Sequence, residues 1–145
     1  KLANNQTLYR SPQKIELCVL EDLNYLRAIF DNYFDPISER SPNDIELISA
    51  LMAGKIFKYV DDDEILGFYW ADCKKFLCEL RYLFVAEIIR GRGIGKSLLE
   101  HHLYITQSIK KKQLWVLKNN KSAIALYQKY GYELEGLQDM IFFRN

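Results

Sequence analysis

Apolar residues recur along this chain in two rhythms. Leu23, Leu26, Ile29, Phe30 and Tyr33 fall at helical spacing behind an acidic first turn, so Glu21–Tyr33 reads as an amphipathic helix. A second helix is expected after Ser41-Pro42-Asn43-Asp44, with Ser41 as N-cap, Pro42 in the first turn and Asp44 completing a capping box. It would turn Ile45, Ile48, Leu51 and Met52 inward and close on Gly54. Lys14–Leu20 alternates and is aliphatic, which predicts a strand. Lys55–Val60, the acidic turn Asp61–Glu64 and Ile65–Asp72 read as a β-hairpin, and Lys74-Lys75 turns the chain into a further strand, Phe76–Val85. After a glycine-rich stretch, Lys96–Ile109 repeats apolar residues at helical spacing (Leu98, Leu99, Leu103, Ile105, Ile109), and Lys110–Lys112 reads as its solvated cationic end. Leu114–Leu117 predicts a short strand, Ser122–Tyr130 a helix stopped by Gly131, and Tyr132–Leu137 and Met140–Arg144 two last strands. Residues 1–13 are polar and read as a loose lead-in. No linker or repeat interrupts the pattern, so a single domain over 1–145 is expected, an α/β (α+β) mixed sheet with helices on its faces.

Composition narrows the function classes. Hydrophobic residues make up 49% and charged residues 27%, which excludes a disordered chain. A net charge of +1 argues against a nucleic-acid partner held by a broad basic face. No apolar run approaches the roughly 20 residues that span a bilayer, and no leader-like order opens the chain, so the expectation is a cytoplasmic protein, monomer or homodimer, without a membrane partner. Cys18, Cys73 and Cys78 are an odd number without metal-like spacing. Cys73 and Cys78 can face each other across a hairpin, and reduced thiols are expected. His101 and His102 are adjacent, so on a helix they point about 100° apart and share no metal; His102 reads as a partly buried structural residue.

The chemistry concentrates in Arg90-Gly91-Arg92-Gly93-Ile94-Gly95-Lys96-Ser97, between a strand and a helix. Exposed backbone N–H groups and a helix dipole at such a turn can cradle phosphate, and the glycines let backbone approach a ligand. A dinucleotide G-x-G-x-x-G would need glycine where Lys96 stands, and a Walker A loop would need one more residue between Gly91 and Gly95. The pattern R/Q-x-x-G-x-G/A is met by Arg90, Gly93 and Gly95. A plain strand-to-helix turn is the alternative.

A second segment, Asn120-Lys121-Ser122-Ala123-Ile124-Ala125-Leu126-Tyr127-Gln128-Lys129-Tyr130-Gly131-Tyr132, follows the Leu114–Leu117 strand. In this order the two segments resemble the GNAT superfamily of acetyl-CoA-dependent N-acetyltransferases, sharply over residues 79–132 and in topology over 14–144. The resemblance implies a splayed, mostly antiparallel sheet of six to seven strands flanked by about four helices. It implies acetyl transfer to a primary amine, on a small molecule or a peptide, by direct attack in a ternary complex. The pantetheine arm would pair with the strand Cys78–Val85 at Phe84, Val85 and Ala86, with the Val85 N–H facing the thioester oxyanion. The pyrophosphate would rest on Arg90, Gly91, Arg92, Gly93, Ile94, Gly95 and Lys96. Asn120 would touch the coenzyme or simply cap its helix, or both. Tyr127 would protonate the leaving thiolate, the alternative being a packed tyrosine; Tyr130 is read as packing. Glu79 is the candidate general base, or else a carboxylate paired with Arg81. The family's frequent proline two residues after the bulge is Glu87 here. Trp115 stands where N-terminal acetyltransferases of the family carry glutamate, and reads as core or pocket wall. Substrate choice would lie with the first two helices, the loop Phe34–Ser41 and Phe57, Tyr59, Tyr69 and Trp70. A non-catalytic acyl-CoA sensor on the same fold would keep the loop and need neither Glu79 nor Tyr127.

Overall fold

The computed structural model describes residues 14–34, 41–86, 91–116, 120–134 and 141–144. The lead-in 1–13, Glu87, Arg90 and Leu117 lie outside them. The chain order is β1 (Lys14–Leu17), a 3-10 turn (Leu20–Asp22), α1 (Leu23–Tyr33), α2 (Asp44–Met52), β2 (Ile56–Asp61), β3 (Glu64–Cys73), β4 (Leu77–Val85), α3 (Ile94–Ile105), β5 (Lys111–Trp115), α4 (Lys121–Lys129), β6 (Glu133–Leu134) and β7 (Ile141–Arg144). The strands form a seven-stranded sheet in the order β1-β2-β3-β4-β5-β7-β6. Among the described residues only β4 and β5 pair in parallel, across the crossover helix α3; the remaining pairs are antiparallel.

Local chemistry sets the boundaries. The β2–β3 hairpin turns on Asp62 and Asp63, both left-handed at φ 52° and 67°. That is the backbone of a two-residue turn matching the strand twist, tolerated because Asp bonds locally. The second helix starts two residues later than expected. Asn43, not Ser41, is its N-cap: the Asn43 side chain accepts from the Glu46 N–H at 2.8 Å and Glu46 accepts from the Asn43 N–H at 3.1 Å. This shift rotates the buried face. Leu47, Ala50 and Leu51 point inward, while Ile45 and Met52, expected inside, are each 78% exposed. Lys110–Lys112 is no helix end, because α3 stops at Ile105; Lys112 lies in β5, buried, with its ammonium donating to the Ile109 carbonyl. Cys73 and Cys78 form a register pair at the β3–β4 hairpin and are joined as a disulfide, which corrects the expectation of reduced thiols. Trp115 is no core residue, being half exposed.

β3 is buried on both faces, as a central strand between helix layers must be. On one face Leu26 and Phe30 of α1 and Leu47, Ala50 and Leu51 of α2 pack with Phe68, Trp70 and Phe84. On the other, Ile94, Leu98 and Leu99 of α3 and Tyr127 of α4 pack with Tyr69, Ala71, Leu80 and Leu114. Gly67 lets α3 approach: a Cβ there would sit 2.6 Å from the Phe84 carbonyl oxygen and 3.2 Å from Leu98 Cδ1. His102 is fully buried under α3, against the Tyr69 ring (5.4 Å between ring centres), and burial, then the Lys112 and His101 charges, lower its pKa to about 4.

Two outcomes are expected. Gly67→Ala should destabilise the fold by about 1–3 kcal/mol in chemical denaturation, since the atom it meets is backbone. The unfolded His102 imidazole takes its proton near pH 6.5 and the folded one only near pH 4, so its contribution to stability is whole above pH 6.5 and is lost as pH falls toward 4. Denaturation of wild type and His102→Leu over that window should differ in slope, by a total on the order of 3 kcal/mol.

Candidate functional site

β4 runs past its parallel partner. It pairs with β5 from Leu77↔Lys111 to Leu80↔Leu114 and continues to Val85, while β5 goes on to Trp115 paired with β7. The two neighbouring strands therefore part. At the same place β4 is irregular against β3: Trp70 pairs with Tyr82 and Ala71 with Leu80, which leaves Arg81 as the extra residue of a bulge. The bulge lies four residues ahead of the expected position at Phe84–Ala86. The Ala86 N–H donates to the Leu66 carbonyl at 3.1 Å. Antiparallel alternation then turns the amides of Leu83 and Val85 away from β3, toward the side β5 has left. Phe84 instead faces β3 with its amide and the α1 layer with its buried ring.

The glycine-rich loop adjoins the splay. Gly91 and Gly93 are left-handed (φ 91° and 81°), and a Cβ on either would meet nothing within 4 Å. Backbone conformation and open space, not packing, account for these glycines. Gly93 is the N-cap of α3 and supplies no side-chain acceptor, so no cap side chain screens the first-turn N–H groups. Ile94 is buried against the sheet, Lys96 is exposed, and Gly95 lies where a Cβ would touch Val85 Cγ2 at 3.5 Å and Leu126 Cδ2 at 3.9 Å. The loop thus abuts the end of β4 and the middle of α4. Arg92, half-exposed, has its Nη2 4.0 Å from Asp61 Oδ2 at the end of β2. This surface fits a diphosphate followed by an extended amide-bearing arm.

Tyr127 is buried on α4, ring to ring with Tyr132 (5.8 Å), and burial, then Tyr132, pushes its phenol well above the usual range. Tyr130 is half-buried, packs against the edge of the same core and donates to Glu100 Oε2 at 2.6 Å. Asn120 caps α4, accepting from the Ala123 N–H at 3.3 Å.

Glu79 stands at the parallel pairing, between Asp72 on β3 and Gln113 on β5. The Arg81 pairing does not form: Arg81 bonds Asp72 at 3.2 Å and lies over the Trp70 ring at 4.7 Å, while Lys55 takes the other Asp72 oxygen at 2.8 Å. Burial would raise the Asp72 pKa, but these two cations hold it below the usual carboxylate value. Glu79 has no hydrogen-bond or ion-pair partner among the described residues. Counted along β3, Glu79 is five residue steps from Val85, about 17 Å, and three from Leu83, about 10 Å. Leu83 was absent from the expected site because only the bulge and the register reveal which amides face the splay.

The aromatic wall expected from Tyr33, Phe34, Phe57, Tyr59, Tyr69 and Trp70 divides between the faces. Tyr33 is 59% exposed and packs on Phe84 (5.5 Å); Phe34 packs on Tyr82 (5.6 Å). Trp70 is buried on that same side, while Phe57, Tyr59 and Tyr69 belong to the α3 face. Among the described residues no cluster of His, Cys, Asp or Glu could hold a metal ion, and no helix is long and apolar enough to cross a membrane.

Comparison with known proteins agrees with this geometry. The model of a family described as an acetyltransferase (GNAT) domain matches residues 53–134. A spermine/spermidine N(1)-acetyltransferase of Bacillus subtilis is 31% identical over 111 residues, 74% of this chain and 65% of that protein. A mycothiol acetyltransferase of Corynebacterium efficiens is 36% identical over 77 residues, 50% of this chain and 25% of that protein. The chain thus spans less than two thirds of these relatives' lengths. Among solved structures, Arabidopsis thaliana Naa50 in complex with a bisubstrate analogue superposes with a TM-score of 0.79 at 21% identity, covering 93% of this chain and 99% of that one.

Proposed function

Because the chain belongs to the GNAT acetyltransferase family, we propose that it transfers an acetyl group from acetyl-CoA to a primary amine. The observation that carries this reading is the parting of β4 from β5 beside a glycine-rich loop whose Gly91 and Gly93 face open space. Acetyl-CoA, as substrate, supplies the activated thioester; the chain supplies position and protons. Gly91, Arg92, Gly93 and Lys96, with Arg90, hold the diphosphate through backbone N–H groups and charge. The amides of Val85 and Leu83 pair with the pantetheine arm as a neighbouring strand would.

The register supports a different choice of oxyanion donor. A base at Glu79 acting through one water has to lie within several ångströms of the reacting carbon, and Val85 is about 17 Å away along the strand. The Leu83 amide is therefore the oxyanion donor that goes with Glu79, and Val85 holds the arm one step further out. Glu79 takes the proton of the attacking amine. Tyr127, kept protonated by its burial, donates to the departing thiolate. Asn120 keeps α4 in place through its cap and so positions Tyr127.

Tyr33 and Phe34, laid by the end of α1 over Tyr82 and Phe84, support an acceptor with an apolar portion beside its amine. The similarity to a polyamine acetyltransferase is compatible with a flexible aliphatic amine.

Thermal-shift titration tests the coenzyme. Acetyl-CoA and CoA at 100 times Kd should each add about 2.7 kcal/mol of stability, and ATP with magnesium none. In an acetylation assay with a panel of primary amines, Tyr127→Phe and Glu79→Gln should each lower kcat about 100-fold while CoA binding stays intact. Binding without turnover of any amine by the wild type would replace this reading with that of an acyl-CoA sensor.

A further inference from the structure

The acidic turn Asp61–Glu64 contains one residue that turn chemistry does not explain. Asp62 and Asp63 supply the left-handed backbone and are exposed, as is Glu64. Asp61 precedes them as the last residue of β2, and only 6% of it is exposed. Burying a carboxylate is costly unless a cation compensates it. A cation within reach is Arg92, 31 positions away in the chain and inside the glycine-rich loop, with Nη2 at 4.0 Å from Asp61 Oδ2. The two meet because Gly67 lets Ile94 and Leu98 settle on β3, which brings the start of α3 alongside the hairpin end.

We infer that Asp61 is a positioning residue for the diphosphate site: it holds the Arg92 guanidinium at the loop so that the remaining N–H groups present to the coenzyme diphosphate. Guanidinium carries five donors in a fixed fork, enough to bond a carboxylate and a phosphate at once. An arginine already held on one side loses less side-chain freedom when the anion arrives. The same carboxylate keeps Arg92 beside a loop whose own backbone is glycine-rich and weakly constrained. The inference rests on the proposed coenzyme reading and adds to it a residue on β2, outside both sequence segments that carry the family resemblance.

The test is a double-mutant cycle on CoA binding, read by calorimetry with the full chain. Asp61→Asn should weaken CoA three- to tenfold in the wild-type background and leave its affinity unchanged when Arg92 is already alanine. Equal weakening in both backgrounds, or none in the first, overturns the inference. Arg92→Lys serves if Asp61→Asn does not fold, because a lysine keeps the charge but lacks the fork. It should bind CoA at least threefold more weakly than wild type, and equal affinity overturns the inference. If the wild-type chain itself does not bind CoA, the coenzyme reading has failed, whereas wild-type binding with an uncoupled cycle rejects only the role of Asp61.

Discussion

A strand in a sheet satisfies its backbone on both edges, and β4 does so with β5 only over its first half. Beyond the Leu80↔Leu114 pair the two strands diverge, and the amides of Leu83 and Val85 are turned to the side β5 has left. Backbone polar groups at a strand edge call for partners, and where two strands part, a ligand that resembles a strand can supply some of them. Nearly everything else around the site follows from that constraint. The Arg81 bulge re-aims the end of β4, Gly67 allows α3 to lie close to the sheet, and Gly95 fits between Val85 and Leu126. The left-handed glycines then place the loop at the mouth of the gap.

The sheet also separates two kinds of work. The α3–α4 face carries the anion loop and a densely packed aromatic core in which Tyr127 and His102 are buried. The α1–α2 face carries Trp70, Tyr82, Phe34 and Tyr33 together with the polar group Asp72, Arg81, Lys55 and Glu79. In the proposed reaction one layer holds the donor and the other meets the acceptor, so the acceptor could change through α1 and α2 without disturbing the coenzyme site.

Much of this was legible in the sequence. Helical spacing located α1 and the core positions Leu26 and Phe30, and the paired segments at Arg90–Gly95 and Asn120–Tyr132 identified the family. The errors came from competition between similar local signals. Ser41 and Asn43 are both good caps, and only the reciprocal bond with Glu46 decides between them; the two-residue shift then exposes Ile45 and Met52. Lys112 looks like a solvated residue because its charge hides a long aliphatic stem, which is buried while the ammonium reaches the part-buried Ile109 carbonyl. The facing of Cys73 and Cys78 was legible across their hairpin but their bond was not, and the placing of Arg81 away from Glu79 goes with a bulge that shifts the register beyond Leu80 by one residue. Periodicity alone cannot place a bulge.

The mixed pairing of the sheet also orders events in time. Strands β2, β3 and β4 are joined by tight turns, so their contacts close short loops and form at little entropic cost. The parallel β4–β5 contact must wait until all of α3 has been made and folded back. The meander can therefore be complete while the gap beside Val85 does not yet exist as a gap, only as an open sheet edge. An edge of that kind invites pairing with other chains. The feature that serves the ligand in the finished molecule is thus the point of greatest aggregation hazard in the unfinished one, and the C-terminal third of the chain has to arrive to remove it.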